Sequence, residues 1–306
     1  MDVIDGTQRL PLALGPTAVT IGFFDGVHVG HRALLEETVA AARAEGWTSV
    51  AITFDRHPRE TLTPGREPRL LTTTERKAAL IAETGVDHLL VLEFTEEFSR
   101  MPADAFVRSV LREGLDARHI VVGANFTFGH KAAGTVETLR ELGDGMRIEA
   151  LGLVEIDGRA VSSSSVRAAL AEGDLSWPER ALGRRYAVDG DVVSGHGRGQ
   201  GLGYPTANLR TSPRLLLPGQ GIYAGRAQVE DGWHIAAIDV GTNPTFGADP
   251  LHVESYLLDF DGDIWGKPMA VEFWARLRDE VKFDTPEALT DQMAIDVAQT
   301  RALVKG

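Results

Sequence analysis

Short apolar runs alternate with helix-length segments as far as residue 153, and after Trp177-Pro178 this alternation gives way to short β-like runs separated by glycine-rich turns. One sheet cannot follow both rules, so the chain must build two cores of different kinds. In the first half, 17–22 reads as a strand, 33–45 as a helix closed by Gly46, and 49–54 as a second strand, which together make a βαβ unit. Further strands are expected at 88–92, 119–122 and 147–153, with helices near 74–84, 102–113 and 133–142 between them. The expectation is a doubly wound, Rossmann-like parallel sheet. In the second half, runs at 186–194, 221–229, 234–240, 253–259 and 269–277 predict a small antiparallel β-barrel. A terminal helix follows, with Thr285 as its N-cap, Pro286 at its first position, and Leu289, Met293, Val297 and Leu303 at helical spacing. The fold class is α/β plus β, and the expected domains are 1–183 and 184–306.

A length of 306 residues suits two cores of ordinary size. The net charge is -13, with 19 basic against 27 acidic residues in 1–183 and 12 against 17 in 184–306, so neither half offers the basic face that nucleic acid requires. Small anionic ligands remain open to it, because amides and a few arginines decide the field inside a pocket. No apolar run reaches the length needed to cross a bilayer, and 1–16, with Asp2, Asp5 and a single Arg9, does not look like a secretory signal. The absence of cysteine excludes disulfides, thiolate ligands and a cysteine nucleophile. These features predict a cytoplasmic protein whose partners are small molecules, with no nucleic acid and no membrane; assembly into a homo-oligomer stays open.

The run Gly22-Phe23-Phe24-Asp25-Gly26-Val27-His28-Val29-Gly30-His31 lies after the first strand and before a helix, where backbone amides and the helix dipole favour a phosphate. Gly22, Gly26 and Gly30 let the backbone approach an anion, and His28 and His31 place two imidazoles beside it. Two histidines on a tight turn would by themselves more often be a surface turn. Three later segments change that reading: Thr53-Phe54-Asp55-Arg56-His57-Pro58, Gly123-Ala124-Asn125-Phe126-Thr127-Phe128-Gly129 and Ser162-Ser163-Ser164-Ser165-Val166-Arg167. With the histidine turn they resemble the flavin-adenylylating branch of the His-x-Gly-His nucleotidyltransferases. The resemblance implies that ATP and FMN bind at Gly22, Phe24, Asp25, Gly26, Gly30, Phe54, His57, Pro58, Asn125, Phe126, Phe128, Ser163 and Ser164. It implies catalysis by His28, His31 and Arg167, and FAD as the product. The family usually carries Pro at position 56, commonly Asp at 125 and commonly Thr at 164, where this chain has Arg56, Asn125 and Ser164. Asn125 cannot supply a carboxylate's charge to a metal.

The stretch from Gly195 to Asn208 is glycine-rich and ends Gly203-Tyr204-Pro205-Thr206-Ala207-Asn208. Glycine alone would fit a barrel corner equally well. With Pro218-Gly219-Gln220-Gly221-Ile222-Tyr223, Gly241-Thr242-Asn243-Pro244-Thr245-Phe246 and Val253-Glu254, the segment resembles the riboflavin kinase family. That resemblance implies ATP and riboflavin bound at Gly197, Gly203, Tyr204, Pro205, Tyr223 and Asn243, and Mg²⁺ held by Thr206 and Asn208. It makes Glu254 the base that accepts the proton of a ribityl hydroxyl. Gln200 stands where many relatives have Arg. Asp259, Asp261 and Asp263 lack the downstream Glu of a Ca²⁺ loop, and a hairpin turn at Asp261-Gly262 accounts for them. Taken together, the resemblance is to the bifunctional riboflavin kinase/FMN adenylyltransferases.

Overall fold

The computed structural model describes residues 1–6, 9–194, 204–230, 232–242 and 251–305. Of the expected site residues, Gly197, Gly203 and Asn243 lie outside this set. The chain forms two compact units, one of Met1–Pro68 and Thr74–Ser162, the other of Arg69–Thr73 and Ser163–Gly306.

The first unit runs β1 (Asp2–Asp5), β2 (Thr17–Ile21), α1 (Val29–Glu45), β3 (Thr48–Phe54), α2 (Pro58–Leu62), α3 (Thr74–Ala82), β4 (His88–Leu92), α4 (Glu96–Ser99) and α5 (Ala103–Phe106), which continues as a π-helical stretch over Val107–Gly114. Then come β5 (Ala117–Gly123), α6 (Val136–Leu142), β6 (Arg147–Leu151) and a small hairpin of β7 (Glu155–Ile156) and β8 (Arg159–Ala160). Six strands form a parallel sheet in the order β1-β4-β3-β2-β5-β6. Alternation along the strands divides the apolar side chains between two faces. Val19, Ile21, Val50, Ile52, Leu90 and Leu92 meet the π-helical stretch and α6 on one face, while Ala51, Leu89 and Val91 meet α1 and α3 on the other. Both faces are covered, as a parallel sheet requires.

The second unit opens with α7 (Ser163–Ala171) and α8 (Ser176–Leu182). The strands β9 (Ala187–Val193), β10 (Ala207–Thr211), β11 (Gly221–Val229), β12 (Gly232–Gly241), β13 (His252–Leu257) and β14 (Pro268–Arg278) follow, and α9 (Pro286–Leu303) ends the chain. The strands close an antiparallel barrel in the order β10-β13-β12-β11-β14-β9. The fold class matches the expectation, and α9 has its Thr285 cap and Pro286 where the sequence places them. Packing joins α7 and α8 to the barrel: the Gly219 amide donates to the Leu170 carbonyl at 2.8 Å, and a Cβ on Gly173 would meet Arg276 at 2.8 Å. One expectation is corrected. The segment around Asp261-Gly262 is not a hairpin, because β13 pairs with β10 and β12 while β14 pairs with β11 and β9, so the loop crosses between strands that are not neighbours. Asp259 is instead tied to Arg301 of α9 by two contacts of 2.6 and 3.0 Å.

Candidate active sites in the two units

In the first unit, β2 is joined to β3 on one side and β5 on the other, so the connections diverge at the β2/β5 boundary. Ligands of open α/β sheets sit outside the carboxyl ends of the strands at this kind of switch point. The histidine turn follows β2 there. Its backbone is forced into unusual conformations: Phe24 and Val27 have φ of 55° and 37°, the latter costly for a β-branched residue. Phe24 and Val27 are wholly buried against Leu35 and Val39 of α1, and this packing holds the turn from below. His28 is the N-cap of α1, its Nδ1 accepting from the His31 amide at 3.2 Å. The two imidazoles stack, with centroids 3.6 Å apart and an angle of 16°. Gly30 makes this stack fit, since a Cβ would come within 3.3 Å of the His28 ring. Burial first, then His28 and Lys77, holds the His31 imidazole well below its usual pKa, so it is neutral at physiological pH.

The end of β3 adds the second segment. His57 caps α2, accepting from the Arg59 amide at 3.1 Å, and its ring meets Phe23 edge-on at 4.9 Å. Asp25 is buried in the turn, and Asp55 pairs with Arg56 at 2.6 Å. Next to the switch point lies an apolar cavity of about 320 Å³, which brings Phe54, Pro58, Phe126 and Phe128 together from two expected segments. Phe94, Phe98 and Phe106 complete its aromatic wall and Lys131, with φ of 56°, stands among its lining residues. The sequence motifs do not include the three phenylalanines, and Lys131, beside the Asn125 motif, reads from sequence as a solvated loop residue. Asn125 is exposed at the end of β5. Ser163, Ser164 and Arg167 lie at the start of α7 in the second unit, where the Arg167 Nε donates to the Arg69 carbonyl at 2.6 Å.

In the second unit, Asn208 on β10 and Asp239 on β12 both face Glu254 on β13, which lies between them. Side chains of directly opposed residues share a face, so these three converge. The Thr206 hydroxyl donates to Glu254 Oε2 at 3.1 Å, and His252 Nε2 lies 3.5 Å from Glu254 Oε1. Thr206 lines two cavities. One, of about 360 Å³, is walled by apolar residues such as Ile222, Ile238, Phe283 and Met293 and also contains Tyr204, Asp239 and Glu254. The other, of about 580 Å³, is more polar and contains Pro205 and Asn208. Both fall in the size range of small-molecule sites. Tyr223 lines neither: it is fully buried beside Phe273, and its hydroxyl donates to the Gly219 carbonyl.

The donor set suits one hard cation. A threonine hydroxyl and an asparagine amide oxygen, next to a polar cavity and a carboxylate, are the oxygen ligands that Mg²⁺ accepts when a phosphate completes its shell. Among the described residues no group of three or more His, Cys, Asp or Glu is placed to hold a metal ion.

Residues 11–165 match the FAD synthetase family model, and residues 182–304 match that of riboflavin kinase. The bifunctional riboflavin kinase/FMN adenylyltransferase of Listeria monocytogenes is 36% identical over 289 residues, covering 93% of this chain and 91% of its own. The protein of the same description from Pseudomonas fluorescens is 36% identical over 306 residues, covering 99% and 98%. A solved structure from Streptococcus pneumoniae, described as a macrolide-efflux protein, has a TM-score of 0.90 at 29% identity and covers 98% of this chain and 99% of its own.

Proposed function

The chain belongs to the bifunctional riboflavin kinase/FMN adenylyltransferase family, and from this premise we propose how its residues divide the two reactions. It phosphorylates riboflavin to FMN in its C-terminal part and adenylylates FMN to FAD in its N-terminal part, using ATP in both. The functional boundary is placed at 183/184, so that α7 and α8 serve the adenylyl transfer although they pack with the barrel.

In the kinase part the observation that carries the reading is the Thr206–Glu254 hydrogen bond of 3.1 Å, made by a residue common to the apolar and the polar cavity. Riboflavin occupies the apolar cavity and ATP the polar one. Glu254 takes the proton of the terminal ribityl hydroxyl as that oxygen attacks the γ-phosphorus and ADP leaves. Thr206 and Asn208 would hold Mg²⁺, which when bound would neutralise charge on the ATP phosphates. Tyr204 and Pro205 border the substrates, and by the family resemblance Gly197, Gly203 and Asn243 also contribute to ATP and riboflavin binding.

In the N-terminal part the isoalloxazine lies in the aromatic cavity between Phe54, Pro58, Phe126 and Phe128. The FMN phosphate, already an anion, attacks the α-phosphorus of ATP and expels pyrophosphate, so no base is needed. His28 and His31, at the amino end of α1, donate hydrogen bonds to the developing charge, with Arg167, Ser163 and Ser164 on the phosphates. Gly22, Asp25, Gly26 and Gly30 shape the turn, and Asn125 and His57 border the nucleotide.

Purified protein incubated with riboflavin, ATP and Mg²⁺, with flavins resolved over time, tests this division. Wild type forms FMN and then FAD. Glu254→Ala makes FAD only from supplied FMN, and His28→Ala/His31→Ala stops at FMN. A double-histidine variant that still makes FAD at the wild-type rate removes the assignment of the histidines.

A further inference from the structure

Lys77 is only 4% exposed, yet it is charged and lies at the junction of the two strand ends that lead into the N-terminal site. Its Nζ donates to the Phe23 carbonyl at 3.3 Å, the Thr53 hydroxyl at 3.1 Å and the Phe54 carbonyl at 3.3 Å. An ammonium has three protons, and these acceptors use all of them. Thr53 in turn donates to the Phe23 carbonyl at 3.1 Å, and the ammonium sits 4.5 Å from the Phe23 ring centroid. Phe23 lies just beyond β2, and Phe54 is the last residue of β3.

We propose that Lys77 is a positioning residue for adenylyl transfer, its ammonium clamping the carboxyl ends of β2 and β3 so that the turn bearing His28 and His31 is held in its reactive geometry. This rests on the histidine assignment above. A buried charge is a poor device for stability alone, since a methionine of similar length would fill the same space without the desolvation cost. What an apolar residue cannot do is fix three oxygens from two segments at once. The titratable groups acting on Lys77 are Asp25 and Asp55, which favour its charge; burial outweighs them and brings its pKa to about 8, so it is still mainly protonated at neutral pH. In the other direction, Lys77 and His28 both disfavour a proton on His31.

The test compares Lys77→Met and Lys77→Gln with wild type, measuring FAD formation from supplied FMN and titrating His31 by NMR. The expected result is a fall in kcat of about 10- to 100-fold with KM for FMN little changed. The His31 titration midpoint should also move up in Lys77→Met, because a neighbouring positive charge is gone. The chain has no cysteine, so Lys77→Cys carries a single thiol. Aminoethylating it in denaturant and refolding restores an ammonium at lysine length and should restore kcat, with wild type taken through the same cycle as control. Wild-type kcat and an unmoved His31 midpoint in Lys77→Met would overturn the inference. So would a parallel loss of near-UV dichroism, FMN binding and kcat that aminoethylation does not reverse, which assigns Lys77 to folding alone. If His31→Ala leaves FAD synthesis intact, it is the histidine assignment that fails.

Discussion

Asp239 faces Glu254 across β12 and β13, and burial, then Glu280 and Glu254, push its carboxyl up to about 7 from an ordinary aspartate value. The folded state therefore keeps a proton there that the unfolded chain has lost above pH ~4. The contribution of this group to stability falls as pH rises from that point to about 7, and then levels off. Asp239→Asn mimics the protonated form, so it should match wild type in urea unfolding at pH 4 and exceed it at pH 8. Equal stabilities at pH 8 would show that Asp239 ionises without penalty. At the same scale, the sequence names most of the residues that gather at the sites but not what each does there. Phe24 and Tyr223 fall inside ligand motifs, but their side chains go to the core, because a motif records a position and not a direction. Lys77 lies in no motif and stands beside Glu75 and Arg76 on α3. The signal was its spacing: it precedes Leu80 and Ile81 by three and four residues, which sets it on the buried face of the helix.

Beside the Arg301–Asp259 pair, a buried ion pair docks α9 on the barrel. Arg278 at the end of β14 meets Asp296 through contacts of 3.0, 3.2 and 2.6 Å, and Gln292 donates to the same carboxylate at 2.9 Å. Asp296 is 4% exposed, and it lines the apolar cavity together with Leu289, Met293 and Val297 of the same helix. Asp296→Ala leaves Arg278 without its carboxylate and should cost about 3 kcal/mol of stability. It should raise KM for riboflavin while leaving FAD synthesis from FMN unchanged, which separate assays of the two reactions would reveal. Most elements are legible from apolar periodicity. The exceptions have local causes. β10 begins inside the Pro205-Thr206-Ala207-Asn208 motif and reads as loop, and β1 is a four-residue edge strand with two aspartates. The loop after β13 carries turn residues whichever strand comes next.

Across the whole molecule the two units end their sheets differently. The barrel closes on itself, so no strand in it presents an unpaired edge. The parallel sheet ends in two open edges, β1 and β6. Both carry charge, Asp2 and Asp5 on one and Arg147 and Glu149 on the other, which repels or misaligns an incoming strand. The colloidal behaviour of the protein is thus decided in its adenylylating half. Asp2→Val/Asp5→Val should give time-dependent light scattering at concentrations where wild type stays clear, while Asp191→Val on the closed barrel should give none. Removing residues 1–6 should be worse still, because β1 shields β4, whose Leu89–Leu92 segment is buried throughout. Trimming a few exposed residues at this end would therefore turn an inner strand into a surface on which one copy could seed another.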